Sequence, residues 1–382
     1  MPKRPIPEHS QLPVTRRAFT LIGAASLAGS FLHRVVADVN EERFDQAANV
    51  LRQACESGSV TAAAIHVRSG NAVFDRGFGK ASVPEASFLL GSISKPVTIA
   101  ALMTLFDQNR FQLDDAVHRY LPEFNGGGRS AVTIRHLLTH ISGLPDQLAD
   151  NADLRARHAG LSDFIAGALK APLSFPPGTK YQYSSMGILL AAEIAQRLSG
   201  MDIRRYVHEQ VLRPLKMTNS ALGMGGLTEQ QVMPCQVEFG AVESGGGSEE
   251  SKNWDWNSPF WRNLGAPWGG LHASAADVGR FLAEMLHPEG KVVRPATAAL
   301  MTRNHNPEGF HPRGLGFDVG MAGNCRGCSG RTFGHTGSTG TIAWADPDRD
   351  LMAVVLTTLP GRATASDKHP RQQASEFVAG SA

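Results

Sequence analysis

The sequence predicts a mixed α/β chain of the α+β kind, with one antiparallel sheet assembled from both chain ends, flanked by helices, and a mainly helical region inserted between them. Strand patterns with turn signals occur near the start, over 60–67 and 72–78, and again near the end, over 341–344 and 351–357. Each pair encloses a polar, turn-forming stretch, Arg68-Ser69-Gly70-Asn71 in the first and Asp346-Pro347-Asp348-Arg349-Asp350 in the second. Between them, apolar residues recur at helical spacing over 92–108, 161–171, 186–198, 203–210 and 275–286. A leading helix over 41–56 carries Phe44, Ala47, Ala48, Leu51 and Ala54 on one face. The sheet parts are therefore expected at about 41–85 and 310–382 and the insert at about 86–309, with a site forming at the seam.

At 382 residues the chain suits one large or two closely packed units, and no internal repeat is visible. A formal net charge of +2 with no dense Lys/Arg run gives no polyanion signal. Nucleic acid is not an expected partner; a small molecule is. Residues 1–37 read as an export signal of the twin-arginine type, with Thr15-Arg16-Arg17-Ala18-Phe19 before an apolar run at 21–32 and a small residue, Ala37, at its end. That run is about half the ~20 residues needed to cross hydrocarbon, so the mature protein, starting near Asp38, is expected to carry no membrane span and to be periplasmic or extracellular.

Two cysteines, Cys325 and Cys328, form a C-x-x-C inside a glycine-rich turn, which suggests a local disulfide or surface thiols more than a redox or zinc motif. His136 and His140 are four apart like a zinc pair, but Leu137 follows His136 where H-E-x-x-H needs its glutamate, so a structural role is expected.

Four stretches could carry chemistry. Ser92 and Lys95 lie three apart at the start of a helix, on one face, so the amine can reach the hydroxyl. A serine alcohol needs a base, and a lysine serves only if burial or nearby positive charge depresses its pKa. Tyr183 and Ser185 sit just before another helix, where a phenol and a hydroxyl can face a cleft. His335, Thr336 and Gly337, followed by Ser338, form a glycine-rich stretch leading into a strand; the Ser338 amide can donate to an oxyanion while the others contact substrate. Finally, Trp254 and Trp256 with Trp261, and Trp268 close behind, lie in or beside a Gly/Ser/Glu-rich stretch at 240–263 and are read as a lid over the cleft.

S-x-x-K, Y-x-S and H-T-G in that order resemble the serine β-lactamase and penicillin-binding-protein superfamily. The branch holding class C β-lactamases, D-stereospecific peptidases and family VIII carboxylesterases is the most similar. The stretches at 133–145, 269–277 and 314–317 support this, and the resemblance covers roughly 44–359. It implies a β-lactamase-like fold over 38–382, an acyl-enzyme at Ser92, proton handling by Lys95 and Tyr183 with the base left open between them, and an oxyanion hole from the Ser92 and Ser338 amides. Neither metal nor cofactor is called for. Expected substrates are small esters, amides or D-amino-acid peptides. Ser185 replaces a common asparagine, and His335 replaces the lysine of efficient β-lactamases; His335 can be neutral or charged near neutral pH, which weakens the fixed charge that would hold a penicillin carboxylate. Both departures favour esterase or peptidase work, with a silent cell-wall-binding protein and a β-lactamase as the alternatives.

Overall fold

The computed structural model describes residues 41–83, 85–320 and 326–380, together with Pro2. The export-signal reading over 1–37 and Cys325 of the C-x-x-C lie outside the described residues.

Ten strands form two sheets: β1 (Ala62–Ser69), β2 (Ala72–Gly79), β3 (Ser87–Leu89), β4 (Ser220–Leu222), β5 (Val232–Met233), β6 (Leu271–Ala273), β7 (Asp318–Val319), β8 (Phe333–Gly337), β9 (Thr341–Asp346) and β10 (Leu351–Thr357). Among the helices are α1 (41–56), α2 (Ser94–Asp107), α3 (Ile134–Leu138), α4 (Asn151–Ala156), α5 (Leu161–Lys170), α6 (Ser185–Ser199), α7 (Ile203–Val207), α8 (Pro259–Leu264), α9 (Ala275–Leu286), α10 (Pro295–Met301) and α11 (Pro370–Ala379).

The larger sheet runs β2-β1-β10-β9-β8-β7, antiparallel throughout, and joins the two chain ends as expected. The register places Ile65 opposite Val355 and His66 opposite Val354. Side chains alternate across it. Leu351, Ala353 and Val355 face α1 and α11 through Phe44, Leu51 and Val378, whereas Met352, Val354 and Leu356 face the helical region through residues such as Val278 and Phe281 of α9. Cover on both faces explains why β10 reads as an unbroken apolar run instead of alternating with polar residues.

The insert holds a second, four-stranded sheet, β4-β6-β3-β5, that the sequence did not announce. Its strands have two or three residues, too few for periodicity to register, and β3 pairs β5 in parallel and β6 antiparallel. This sheet matters because β3 leads directly into the segment that carries Ser92. Among the described residues, no helix is long and apolar enough to cross a membrane.

Candidate active site

Ser92 lies in a single helical turn, Gly91–Ile93, between β3 and α2. The approach is pinned from several directions. Leu90 N–H donates to the Leu271 carbonyl at 2.8 Å, and Leu89 and Leu90 carbonyls accept from Thr339 Oγ1 and Thr341 Oγ1 at 2.6 and 2.7 Å. Ser94 Oγ donates to the Gly91 carbonyl at 2.6 Å and accepts from Leu271 N–H at 3.0 Å. These bonds hold the turn against the β8 end of the large sheet before any ligand arrives.

One turn on, Lys95 is fully buried. Its Nζ donates to Ser92 Oγ at 2.8 Å and to the Trp268 carbonyl at 2.9 Å. Burial lowers its pKa from 10.5 to about 7, with Arg313 acting in the same direction and Asp146 and Asp318 opposing. Tyr183 closes the group: its phenol lies beside the Ser92 side chain, and Lys95 Nζ stands 4.7 Å from its ring centroid. Burial pushes the phenol upward, so it stays protonated at neutral pH. Tyr183 is aimed by its neighbour Ser184, the N-cap of α6, which accepts from Gly187 N–H at 2.9 Å and donates to the Pro145 carbonyl at 2.9 Å.

Across the cavity lies the β8 end. Thr336, Gly337 and exposed Ser338 line it, and the Ser338 amide donates to no acceptor among the described residues. Gly91 has φ +56°, and a Cβ there would lie 3.0 Å from Thr339 Oγ1 and 3.1 Å from Ser338 N. The two amides that could hold an oxyanion are thus brought together by the absence of a side chain at 91. Gly91→Ala is expected to lower kcat by ~100-fold or more with a smaller change in KM; steady-state kinetics on an ester checks this, and an unchanged kcat would show that the juxtaposition is not used. Gly337 has a different reason to be glycine: a Cβ would collide with the Leu90 carbonyl oxygen and Thr341 Oγ1, so it serves packing of the tip more than approach of a ligand.

His335 lines the cavity but is not a variable charge at neutral pH. Burial, with Arg313 and Lys95 nearby, lowers its pKa to about 3. Its Nδ1–H donates to the Thr336 carbonyl at 2.7 Å, and Nε2 accepts from Arg313 Nη2 at 3.2 Å. Beside His335 stands Arg313, a cavity-lining residue that the sequence reading missed and whose positive charge is paired. Its guanidinium is 1% exposed, pairs with Asp318, and donates to His140 Nε2 at 3.1 Å. Burial alone would raise the Asp318 pKa, but Arg313 and a hydrogen bond from His311 hold it well below the carboxylate range.

Ser185 is likewise corrected: although it lines the cavity, its hydroxyl donates to Asp146 Oδ1 at 2.6 Å and its amide to the same oxygen at 2.8 Å. Its proton is not available to a substrate carbonyl. Of the tryptophans, Trp256 and Trp268 line the cavity and Trp254 does not; Trp261 joins them. Asp255 Oδ1 accepts from the amides of Asn257 and Ser258, a turn that sends Trp256 inward and leaves Trp254 half-buried outside. All three lining indoles are under a tenth exposed, belong to the main core and form part of the wall of a cavity of about 710 Å³. His140 faces Arg313 and Tyr183 while His136 caps α3, so the two do not share a ligand position. Among the described residues no cluster is placed to hold a metal ion.

A family model described as Beta-lactamase matches residues 40–376. The chain belongs to the Beta-lactamase family. Members of this family are serine hydrolases. Esterase EstB of Burkholderia gladioli is 34% identical over 193 residues, which span 46% of this family member and 48% of EstB. The chain thus spans about half the length of that relative. A protein of Escherichia coli (strain K12) whose given name includes D-alanyl-D-alanine carboxypeptidase is 24% identical over 387 residues, covering 90% of this chain and 88% of that one. Among solved structures, EstCE1, described as a hydrolase with promiscuous acyltransferase activity, superposes with a TM-score of 0.72 at 21% identity over 91% of this chain and 100% of that one. A penicillin-binding-protein homologue from Caulobacter crescentus gives 0.69 at 22% identity, over 89% and 98%. These two likenesses establish the β-lactamase-like fold expected from the sequence.

The residues missed by this family member's sequence reading stand directly beside stretches that were noticed. Arg313 precedes and Asp318 follows Gly314-Leu315-Gly316-Phe317, and Asp146 follows Gly143-Leu144-Pro145. A charged residue abutting an apolar, glycine-bearing motif was the available signal.

Proposed function

We propose that this chain is a serine hydrolase that cleaves small esters through an acyl-Ser92 intermediate. The observation that carries this reading is the 2.8 Å contact from a fully buried Lys95 to Ser92 Oγ. With its pKa lowered to about 7, Lys95 is substantially neutral near physiological pH and is suited to a general base. Tyr183, pushed the other way, is left as the proton donor.

Lys95 takes the hydroxyl proton as Ser92 Oγ bonds to the carbonyl carbon. The Ser92 and Ser338 amides stabilise the oxyanion. On collapse the leaving-group bond breaks, and the departing oxygen or nitrogen takes a proton through Tyr183. Lys95, neutral again once its proton has passed on, takes a proton from water as the water oxygen bonds to the acyl carbon, and that proton returns to Ser92 Oγ as the acyl bond breaks.

Ester substrates are favoured because Ser185 offers no amide to grip an amide carbonyl, and because EstB and EstCE1 are named as an esterase and a hydrolase. A second reading, peptides with a free carboxylate, is favoured by Arg371. This arginine lines the cavity, donates to the Gly337 and Thr341 carbonyls, and pairs with no carboxylate among the described residues. Burial lowers its pKa to about 10.

The test compares kcat/KM for p-nitrophenyl acetate and butyrate, a D-Ala-D-Ala peptide and nitrocefin, with intact-mass detection of a fluorophosphonate adduct. Expected are ester turnover above the other two and a single adduct on Ser92. Folded protein that no acylating probe labels would sink the reading. Export to the periplasm or beyond is proposed on the Arg16-Arg17 pattern, and cell fractionation of the full chain tests it.

A further inference from the structure

Helix α3 ends at Leu138, and two residues later the backbone turns left-handed at His140, where φ is +61°. Glycine is the residue that such a turn favours, because a Cβ is crowded there. Five non-glycine residues have a left-handed φ among the described residues, and His140 alone of them is buried; the other four lie in exposed or half-buried turns.

The turn brings His140 against the segment that carries Tyr183. Its carbonyl accepts from Gln182 N–H at 2.9 Å, and its Nδ1 lies 3.2 Å from the Ser184 amide nitrogen, so both chain neighbours of Tyr183 meet one residue. Between these contacts the imidazole packs on the Tyr183 ring, with centroids 4.5 Å apart and planes inclined by 40°. His140 is itself pinned from behind. The Thr139 carbonyl accepts from Asn306 Nδ2 at 3.1 Å, and the Leu138 carbonyl accepts from Gly316 N–H at 3.2 Å.

We propose that His140 is a positioning residue that acts through Tyr183, its ring setting where the phenol stands relative to Ser92 and to the departing group of the substrate. The inference rests on the reading of Tyr183 as the proton donor.

The ring serves as a neutral group. Ser184 N–H faces Nδ1, and Arg313 Nη2 faces Nε2 at 3.1 Å. A neutral imidazole can accept at one nitrogen, whereas an imidazolium would turn an N–H towards both donors. Burial and the Arg313 charge accordingly hold the His140 pKa well below its ordinary value. Glycine at 140 would suit the turn and keep the carbonyl bond to Gln182, but it would leave the Tyr183 ring without this neighbour.

The experiment compares kcat/KM for p-nitrophenyl acetate and ethyl acetate in His140→Gly, once a thermal melt shows the variant folded. Both esters deliver the same acetyl group, so kcat/KM covers binding and acylation and leaves out the shared deacylation. p-Nitrophenolate departs as a stable anion, whereas ethoxide must gain a proton as it leaves. A misplaced phenol is therefore expected to slow ethyl acetate by ~100-fold and p-nitrophenyl acetate by ~10-fold or less. A merely structural role would lower both by the same factor, since only the amount of competent enzyme would change. His140→Asn tolerates the left-handed turn and keeps an acceptor towards Ser184 N–H while removing the ring; it is expected to show the same split, but smaller.

Equal losses on the two esters, or no loss on ethyl acetate, overturn the proposal. If His140→Gly does not fold, His140→Asn decides by the same ratio. Tyr183→Phe separates the two levels. Native turnover of ethyl acetate in that variant removes the reading of Tyr183 as donor, whereas a split in Tyr183→Phe beside none in His140→Gly removes only the role given to His140.

Discussion

Replacing Ser92 with alanine is expected to lower kcat/KM for an ester by roughly a thousandfold or more, with the melting temperature nearly unchanged. The large kinetic effect follows from the side chain's place in the proposed reaction. Lys95 Nζ points at the hydroxyl, the Tyr183 phenol lies beside it, and the Ser338 amide lies across the cavity. Without the oxygen none of these groups has anything to activate. The small thermal effect follows from its surroundings. Ser92 is half-buried at the cavity wall, and the bonds that hold the turn belong to Leu89, Leu90, Gly91 and Ser94. Steady-state kinetics beside a thermal melt checks both halves. A variant that keeps native turnover would place the nucleophile elsewhere.

Lys95→Met should abolish activity and raise the melting temperature together. Removal of a general base is expected to reduce kcat by ~100-fold to ~10,000-fold. The stabilisation comes from the same burial that makes the amine useful. In the folded protein the pKa is about 7 against an ordinary 10.5, so the fold disfavours the ammonium relative to the unfolded chain. That penalty is fully present below the folded value, shrinks as pH rises between the two, and is gone above the unfolded one. Over the full window it amounts to roughly 3–5 kcal/mol, set against about 1–3 kcal/mol for leaving the Trp268 carbonyl and its neighbours without a donor. Melting curves across pH are the measurement: the gap between variant and native protein should be widest on the acid side and close as pH rises. A methionine variant that melts lower at every pH would show that the amine is not held against its preference.

The order of elements and the two hairpins were readable because they depend on neighbours in the chain. Alternation and turn residues placed 72–78 beside β1, and helical spacing placed 275–286 at the bounds observed for α9. The small sheet was not readable, since two-residue and three-residue strands such as β5 and β6 have no period of their own and exist only by pairing, β5 with β3 and β6 with β3 and β4. Among site residues, Lys95 beside Ser92 was local, a matter of one helical turn. The tryptophan stretch shows the opposite case. Its composition suggested a lid, but three of the indoles are packed into the main core, and the turn at Asp255 sorted Trp256 from Trp254.

By itself, then, the sequence determined which residues are chemically equipped and the architecture they would enter: a serine and lysine on one helical face, a tyrosine ahead of a capped helix, glycines where backbone must approach backbone, and strands at both ends to close one sheet. Tertiary structure decided their electrical state. Whether Lys95 is an ammonium or an amine, whether His335 titrates, and whether an arginine stands beside it paired with a carboxylate depend on burial and on partners up to 173 residues away, as in the contacts of Arg313 with His140 and of Lys95 with Trp268. Residue type and spacing are properties of the chain, but the energy of a charge depends on the medium and the charges around it, and those exist only once the chain has folded.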